Sequence, residues 1–172
     1  MVANNPDELE KAREELEYHE ALASAYSYLG FRSRTAAEVR KKLVEKAYSL
    51  PTVESVLRHL QAEGYINDRE YAERLAETAP LRRIGRGRVA AEIRRRGIAP
   101  DLLKEAMLNF SDKQEIETAV AFAVQRSASM EGIDVATRNR RLMGALQRRG
   151  FTWSAARSAL QQLSENDERT ED

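Results

Sequence analysis

Cysteine is absent from the 172 residues, which excludes disulfides, thiolate metal ligands and a cysteine nucleophile. Aromatic residues reach only 6%, against 33% charged, the balance of solvated helices around a small aliphatic core. No apolar run approaches the ~18 residues of a membrane span. No basic segment followed by an apolar stretch opens the chain, so it reads as cytoplasmic, with no membrane partner. Histidines are two, His19 and His59, each among charged neighbours. No glycine-rich loop precedes a lysine, so a phosphate loop is excluded, and Gly85-Arg86-Gly87 is too short, and lacks the preceding strand, for a dinucleotide turn. No catalytic residue, metal site or cofactor is therefore expected, and the chain reads as a non-enzyme. Gly and Pro number 8 and 4, and they fall between periodic segments. No stretch alternates as a strand does, so helix dominates.

What is present begins with a pattern repeated three times. Val39, Leu43, Lys46 and Ala47 are followed by Val53, Val56, Leu57 and Leu60. Fifty residues on stand Val89, Ile93, Arg96 and Gly97, then Leu103, Ala106, Met107 and Phe110. Fifty-three further stand Leu142, Leu146, Arg149 and Gly150, then Ala156, Ala159, Leu160 and Leu163. A period near 50 is one structural unit copied three times, and such arrays present long binding surfaces rather than converging pockets. The first copy has Ala47 where the others have Gly. A left-handed alanine costs on the order of 1 kcal/mol there.

The helix signals are local. Thr35-Ala36-Ala37-Glu38, Asn67-Asp68-Arg69-Glu70 and Ser111-Asp112-Lys113-Gln114 read as caps with Glu or Gln three residues on. Pro51 and Pro100 sit at first turns, and Thr152 caps the last helix. These signals predict an all-α fold of nine helices: three tandem three-helix repeats forming an elongated, curved solenoid-like array. The expected divisions are an acidic N-terminal helical extension over 1–20, repeats over 21–66, 67–110 and 111–164, and a disordered acidic tail over 165–172. Phe151 and Trp153 read as core residues of the last bundle rather than a base-stacking pair.

The zero net charge hides an asymmetry. Residues 1–20 carry seven acids against Lys11 and Arg13, and 164–172 five acids against Arg169. Residues 82–97 carry seven arginines against Glu92, and 126–149 six against Glu131 and Asp134. Arginines in the last turn of a helix favour its dipole, which accounts for Arg94, Arg95, Arg96, Arg148 and Arg149 as well as binding does. It does not account for Arg82, Arg83, Arg86 and Arg88, which precede or begin a helix. Guanidinium groups so placed suit phosphate or carboxylate. The candidate partner- or DNA-binding residues, from charge and helix geometry, are therefore Arg82, Arg83, Arg86, Arg88, Arg94, Arg95, Arg138, Arg140, Arg141 and Arg148. Reversing Arg82, Arg83, Arg86 and Arg88 together to Glu is expected to weaken partner binding and leave the helices intact.

Four segments, 32–43 (RSRTAAEVRKKL), 60–72 (LQAEGYINDREYA), 94–98 (RRRGI) and 146–151 (LQRRGF), taken in order, resemble the RecX regulatory proteins, modulators of the RecA recombinase. The resemblance spans about residues 20–163, departs mildly at Ala47 and Tyr71, and leaves out the acidic ends. It implies three three-helix repeats and a non-enzymatic partner of the RecA–DNA filament, inhibiting strand exchange, ATP hydrolysis and co-protease activity in DNA repair and the SOS response. It transfers no catalytic residue. A monomer is expected, with single- or double-stranded DNA phosphates as further contacts. A free-standing DNA-binding helical protein and a general helical-repeat scaffold remain the alternatives, though zero net charge weighs against the first.

Overall fold

In the computed structural model residues 5–30, 32–108 and 110–171 are described, with side chains as far as 166. Every regular element among the described residues is helical. The helices are α1 (Pro6–Leu29), α2 (Ala36–Glu45), α3 (Leu50–Ala62), α4 (Asp68–Glu77), α5 (Ala79–Arg82), α6 (Arg86–Arg95), α7 (Pro100–Leu108), α8 (Asp112–Ser127), α9 (Val135–Arg148) and α10 (Trp153–Glu171). A 3-10 turn over Ala128–Met130 follows α8. No helix among the described residues is long and apolar enough to cross a membrane.

Among the described residues ten α-helices stand where nine are expected. The extra one is α5, a single turn started by Pro80 in its first positions and stopped by Arg83 in the left-handed region, φ 50°. The C-terminal segment also differs: from 165 the chain continues α10 to Glu171 rather than leaving it. Nothing between Trp153 and Glu171 is Gly or Pro, and Gln161 bonds Glu165 one turn on, at 3.1 Å. Asp172 lies outside the described residues.

The chain divides into two compact units, one running to Tyr71 and including Arg96–Ile98, the other taking Ala72–Arg95 and the chain from Ala99 on. In the first, α1, α2 and α3 enclose Ala21, Ala25, Val39, Leu43, Val53, Val56, Leu57 and Leu60. The repeated apolar positions of the first copy are thus its core. In the second unit α8, α9 and α10 enclose Ala119, Phe122, Leu146, Phe151, Ala155, Ala156 and Ala159, with Ala123, Met130, Leu142 and Leu163 beside them. Phe151 is core as expected. Trp153 is not, being 62% exposed. It opens α10 about 100° round the helix from the stripe formed by Ala155, Ala156, Ala159 and Leu163.

Carboxylates from one helix cap another. Glu17 of α1 accepts from the Ser49 N–H (2.7 Å), the Ser49 hydroxyl (2.8 Å) and the Thr52 hydroxyl (2.8 Å) at the start of α3. These bonds, the Ser49 N–H first, hold its carboxyl below the usual range. Asp68 accepts the Ala36 N–H at 2.9 Å, and burial lifts its carboxyl above the usual range against that bond. Around Thr35 the expected capping box is present: its hydroxyl accepts the Glu38 N–H, and its own N–H donates to Glu38.

Thr35 has a second task. Its hydroxyl donates to the Arg96 carbonyl at 2.7 Å, while the Arg96 guanidinium reaches Glu38 at 2.5 Å and lies over the Tyr71 ring. Within the first unit the turn at Arg96 therefore seats on the N-terminus of α2. The same seat recurs fifty residues on. There Gly85 donates its N–H to the Arg149 carbonyl (3.0 Å), and Gly87 to the Gly150 carbonyl (2.9 Å). The first repeat's own turn, at Ala47, has no earlier repeat to meet. Ala47 is exposed and carries φ 63°. Ala47→Gly is expected to stabilise the protein by about 1 kcal/mol, seen as a raised urea midpoint with an unchanged slope.

Candidate anion-binding groove

The second unit carries two adjoining cavities of about 530 and 630 Å³, which share Arg126, Ala145 and Arg148. Arg82, Ile84, Arg88, Phe122 and Arg149 complete the first. Ser129, Met130, Ile133, Arg140, Arg141 and Gly144 complete the second. Seven arginines thus line one continuous depression, and no carboxylate is among its lining residues.

The sequence builds this surface in a few local steps. On α9, Arg141, Ala145 and Arg148 are spaced i, i+4, i+7 and share a face, while Leu142 and Leu146 turn into the core. Gly144 and Ala145 leave the floor low between the arginines. Asp134 caps α9 by accepting the Thr137 N–H at 2.9 Å, a bond that holds its carboxyl below the usual range. Arg126 comes from the last turn of α8, and Arg88 from the first turn of α6. Arg149 is fixed in place: its guanidinium lies 5.1 Å above the Phe122 ring and donates to the Arg82 carbonyl at 3.2 Å. Several guanidinium groups converging without carboxylates hold a field that attracts extended anions and repels cations. Against single phosphates or carboxylates each can pair in two-pronged fashion.

The ten arginines picked out from the sequence separate here. Arg82, Arg88, Arg140, Arg141 and Arg148 line the groove. Arg82 also pairs with Glu92 at 2.7 Å. Arg83 bonds the side chain of Gln125 and lines neither cavity. Arg94 and Arg95 are exposed in the last turn of α6, and Arg138 is half-buried, all three off the groove lining. Arg86 is engaged inside the protein. Its Nε lies 2.8 Å from Oε2 of Glu115, which is 1% exposed, and its second arm reaches Asp112 at 2.5 Å and the Phe110 carbonyl at 3.1 Å. Reversing its charge therefore attacks the fold, and it drops out of the fourfold reversal suggested by sequence. Arg126 and Arg149 belong to the groove although the sequence did not single them out for it. The clue available was spacing: Arg149 ends the helix that carries Arg141 and Arg148, and Arg126 ends its neighbour.

The chain is similar to known proteins in sequence and in fold. The family descriptions "RecX, first three-helix domain" and "RecX, second three-helix domain" match residues 21–60 and 67–107. The chain is 30% identical over 144 residues to the Regulatory protein RecX of Pelodictyon phaeoclathratiforme, covering 83% of this chain and 88% of that one. With that of Deinococcus radiodurans it shares 34% over 157 residues, covering 90% and 73%. The crystal structure of RecX from Lactobacillus salivarius superposes with a TM-score of 0.78 at 21% identity, covering 86% of this chain and 97% of that one, a likeness of fold.

Proposed function

Because the chain belongs to the RecX family of regulatory proteins, we propose that it binds the RecA–DNA filament in the cytoplasm and holds down its recombinase, ATPase and co-protease activities. The observation that carries this reading is the groove lined by seven arginines and no carboxylate. A filament offers such a surface repeated anions, on the DNA backbone and on acidic protein faces. The helices supply the frame, and the arginines of α6, α8 and α9 supply the contact. The reaction chemistry stays with the recombinase, since regulation here needs binding alone.

The test is the single-strand-dependent ATPase of the cognate RecA titrated with this protein. Wild type is expected to inhibit and to sediment with filaments. Arg88→Glu, Arg126→Glu and Arg148→Glu combined should raise the half-inhibiting concentration about tenfold or more, with a steep loss of binding at higher salt. Helicity should be unchanged, because these three side chains are exposed. If wild type neither inhibits nor co-sediments, the reading fails. If the triple variant inhibits like wild type, the groove is not the contact. Tight duplex binding without the recombinase would favour a free-standing DNA-binding protein instead.

A further inference from the structure

The first three turns of α1 leave their side chains in solvent. Residues 5–16 are all exposed, including Leu9 at 45% and Leu16 at 60%. Leu9, Ala12 and Leu16 lie within about 60° of one another around the helix. The packed half of α1 uses the other side: Tyr18, Ala21, Leu22, Ala25 and Leu29 meet the core of the first unit. The leucine stripe is therefore a second apolar face, turned roughly opposite to the first. Glu8 and Glu15 flank it on one side and Glu10 on the other. Residues 6–16 carry five carboxylates against Lys11 and Arg13. A segment of this length and exposure is marginal as a helix and gains from a partner.

What such a helix fits is an apolar floor between basic walls. The arginine groove has that composition, with half-buried Ile133 and Ala145 and the more deeply set Ile84 lining it between Arg88, Arg126 and Arg148. We propose that residues 6–16 of α1 in one copy of this chain dock in the arginine groove of a second copy, leucines down and glutamates to the guanidiniums. This is helix-in-groove recognition with charge complementarity added. It rests on reading the groove as an anion site, but not on the recombinase as its partner. Self-association then masks the groove until a stronger polyanion displaces the helix. The monomer expected from the sequence becomes the high-salt form.

Sedimentation velocity of the full chain tests this. At about 50 mM salt the weight-average mass should rise with concentration from 19.5 kDa toward twice that or beyond, and at about 500 mM it should stay monomeric. A helix variant (Glu8→Gln, Leu9→Ser, Glu15→Gln, Leu16→Ser) and a groove variant (Arg88→Gln, Arg126→Gln, Arg148→Gln) should each associate at least about tenfold more weakly. Mixed one to one, they should form a heterodimer, because one retains the helix and the other the groove. Wild type monomeric at low salt overturns the proposal, as does a groove variant that associates normally or a mixture that stays monomeric. Inhibition of the recombinase by a strictly monomeric wild type would sink this inference alone.

Discussion

Arg86→Ala is expected to destabilise the second unit by about 3 kcal/mol, and Arg86→Glu by more, enough to abolish its cooperative unfolding. The reason is what the guanidinium leaves behind. Glu115 is 1% exposed. Its Oε1 accepts the N–H groups of Arg86 (3.1 Å) and Thr152 (3.2 Å), and its Oε2 faces the Arg86 Nε and the Thr152 hydroxyl. One carboxylate thus ties the starts of α6 and α10 to α8. Without the guanidinium it keeps its burial and loses its countercharge. With a glutamate at 86 it faces a second carboxylate. An exposed arginine nearby gives the control: Arg94→Ala should change stability by no more than about 0.5 kcal/mol. Urea unfolding followed by circular dichroism separates the two. Adding Glu115→Leu to Arg86→Ala should recover part of the loss, because the stranded charge is then gone. A loss for Arg86→Ala no greater than that for Arg94→Ala would mean that Glu115 is satisfied without its guanidinium.

That pairing was not legible in the sequence, and the reason is general to helical repeats. Apolar periodicity announces itself: Val39, Leu43, Val53, Val56, Leu57 and Leu60 are all buried, as are Val89, Ile93, Leu142 and Leu146. Capping signals are equally local, and the box at Thr35 forms as its spacing predicts. Glu115 stands one turn into a helix amid other charges and looks like any solvated acid. Its burial depends on Arg86 and Thr152, 29 and 37 residues away. Arg86 looks like a surface cation for the same reason, because charge count and helix position say nothing of a distant carboxylate. The groove was half legible. Arg141 and Arg148 share a face by spacing alone, but Arg82 and Arg88 come to them only when the Arg149-Gly150 turn docks. A large aromatic beside a core phenylalanine suggests burial, but helix phase decides it, and Trp153 is exposed. The sequence does carry one signal of docking. Thr35 and Ala37 of the first repeat are replaced at the same offset by Gly85 and Gly87, small residues where the next repeat's turn must land.

Gly150→Ala tests that landing, with an expected loss of about 3 kcal/mol or more. Two effects add. Gly150 has φ +81°, and a left-handed alanine alone costs about 1 kcal/mol. Gly64→Ala isolates this part, because φ there is +75° and a new Cβ meets nothing within 4 Å. At Gly150 the Cβ would lie 2.2 Å from the backbone nitrogen of Arg88 and 2.6 Å from its Cβ. Backbone cannot rotate aside, so the turn must lift. Lifting stretches the bonds from Gly85 and Gly87 to the Arg149 and Gly150 carbonyls, each worth about 1 kcal/mol. It also pulls at Phe151, which is 5% exposed. The corresponding turn in the first unit gives a contrast. A Cβ at Gly97 would strike only the Ala37 methyl, at 2.5 Å. Gly97→Ala should therefore be rescued in part by Ala37→Gly, back toward the cost of Gly64→Ala. No such rescue exists for Gly150→Ala, because the atoms it meets include the Arg88 main chain. The lifted turn also carries Arg149 away from Phe122 and Arg82, so a folded remnant should bind polyanions more weakly. Urea midpoints for the four variants, read with hydrogen exchange at Gly85 and Gly87, decide the matter. Equal losses at Gly64 and Gly150 would show that the docking seat adds nothing to the strained turn.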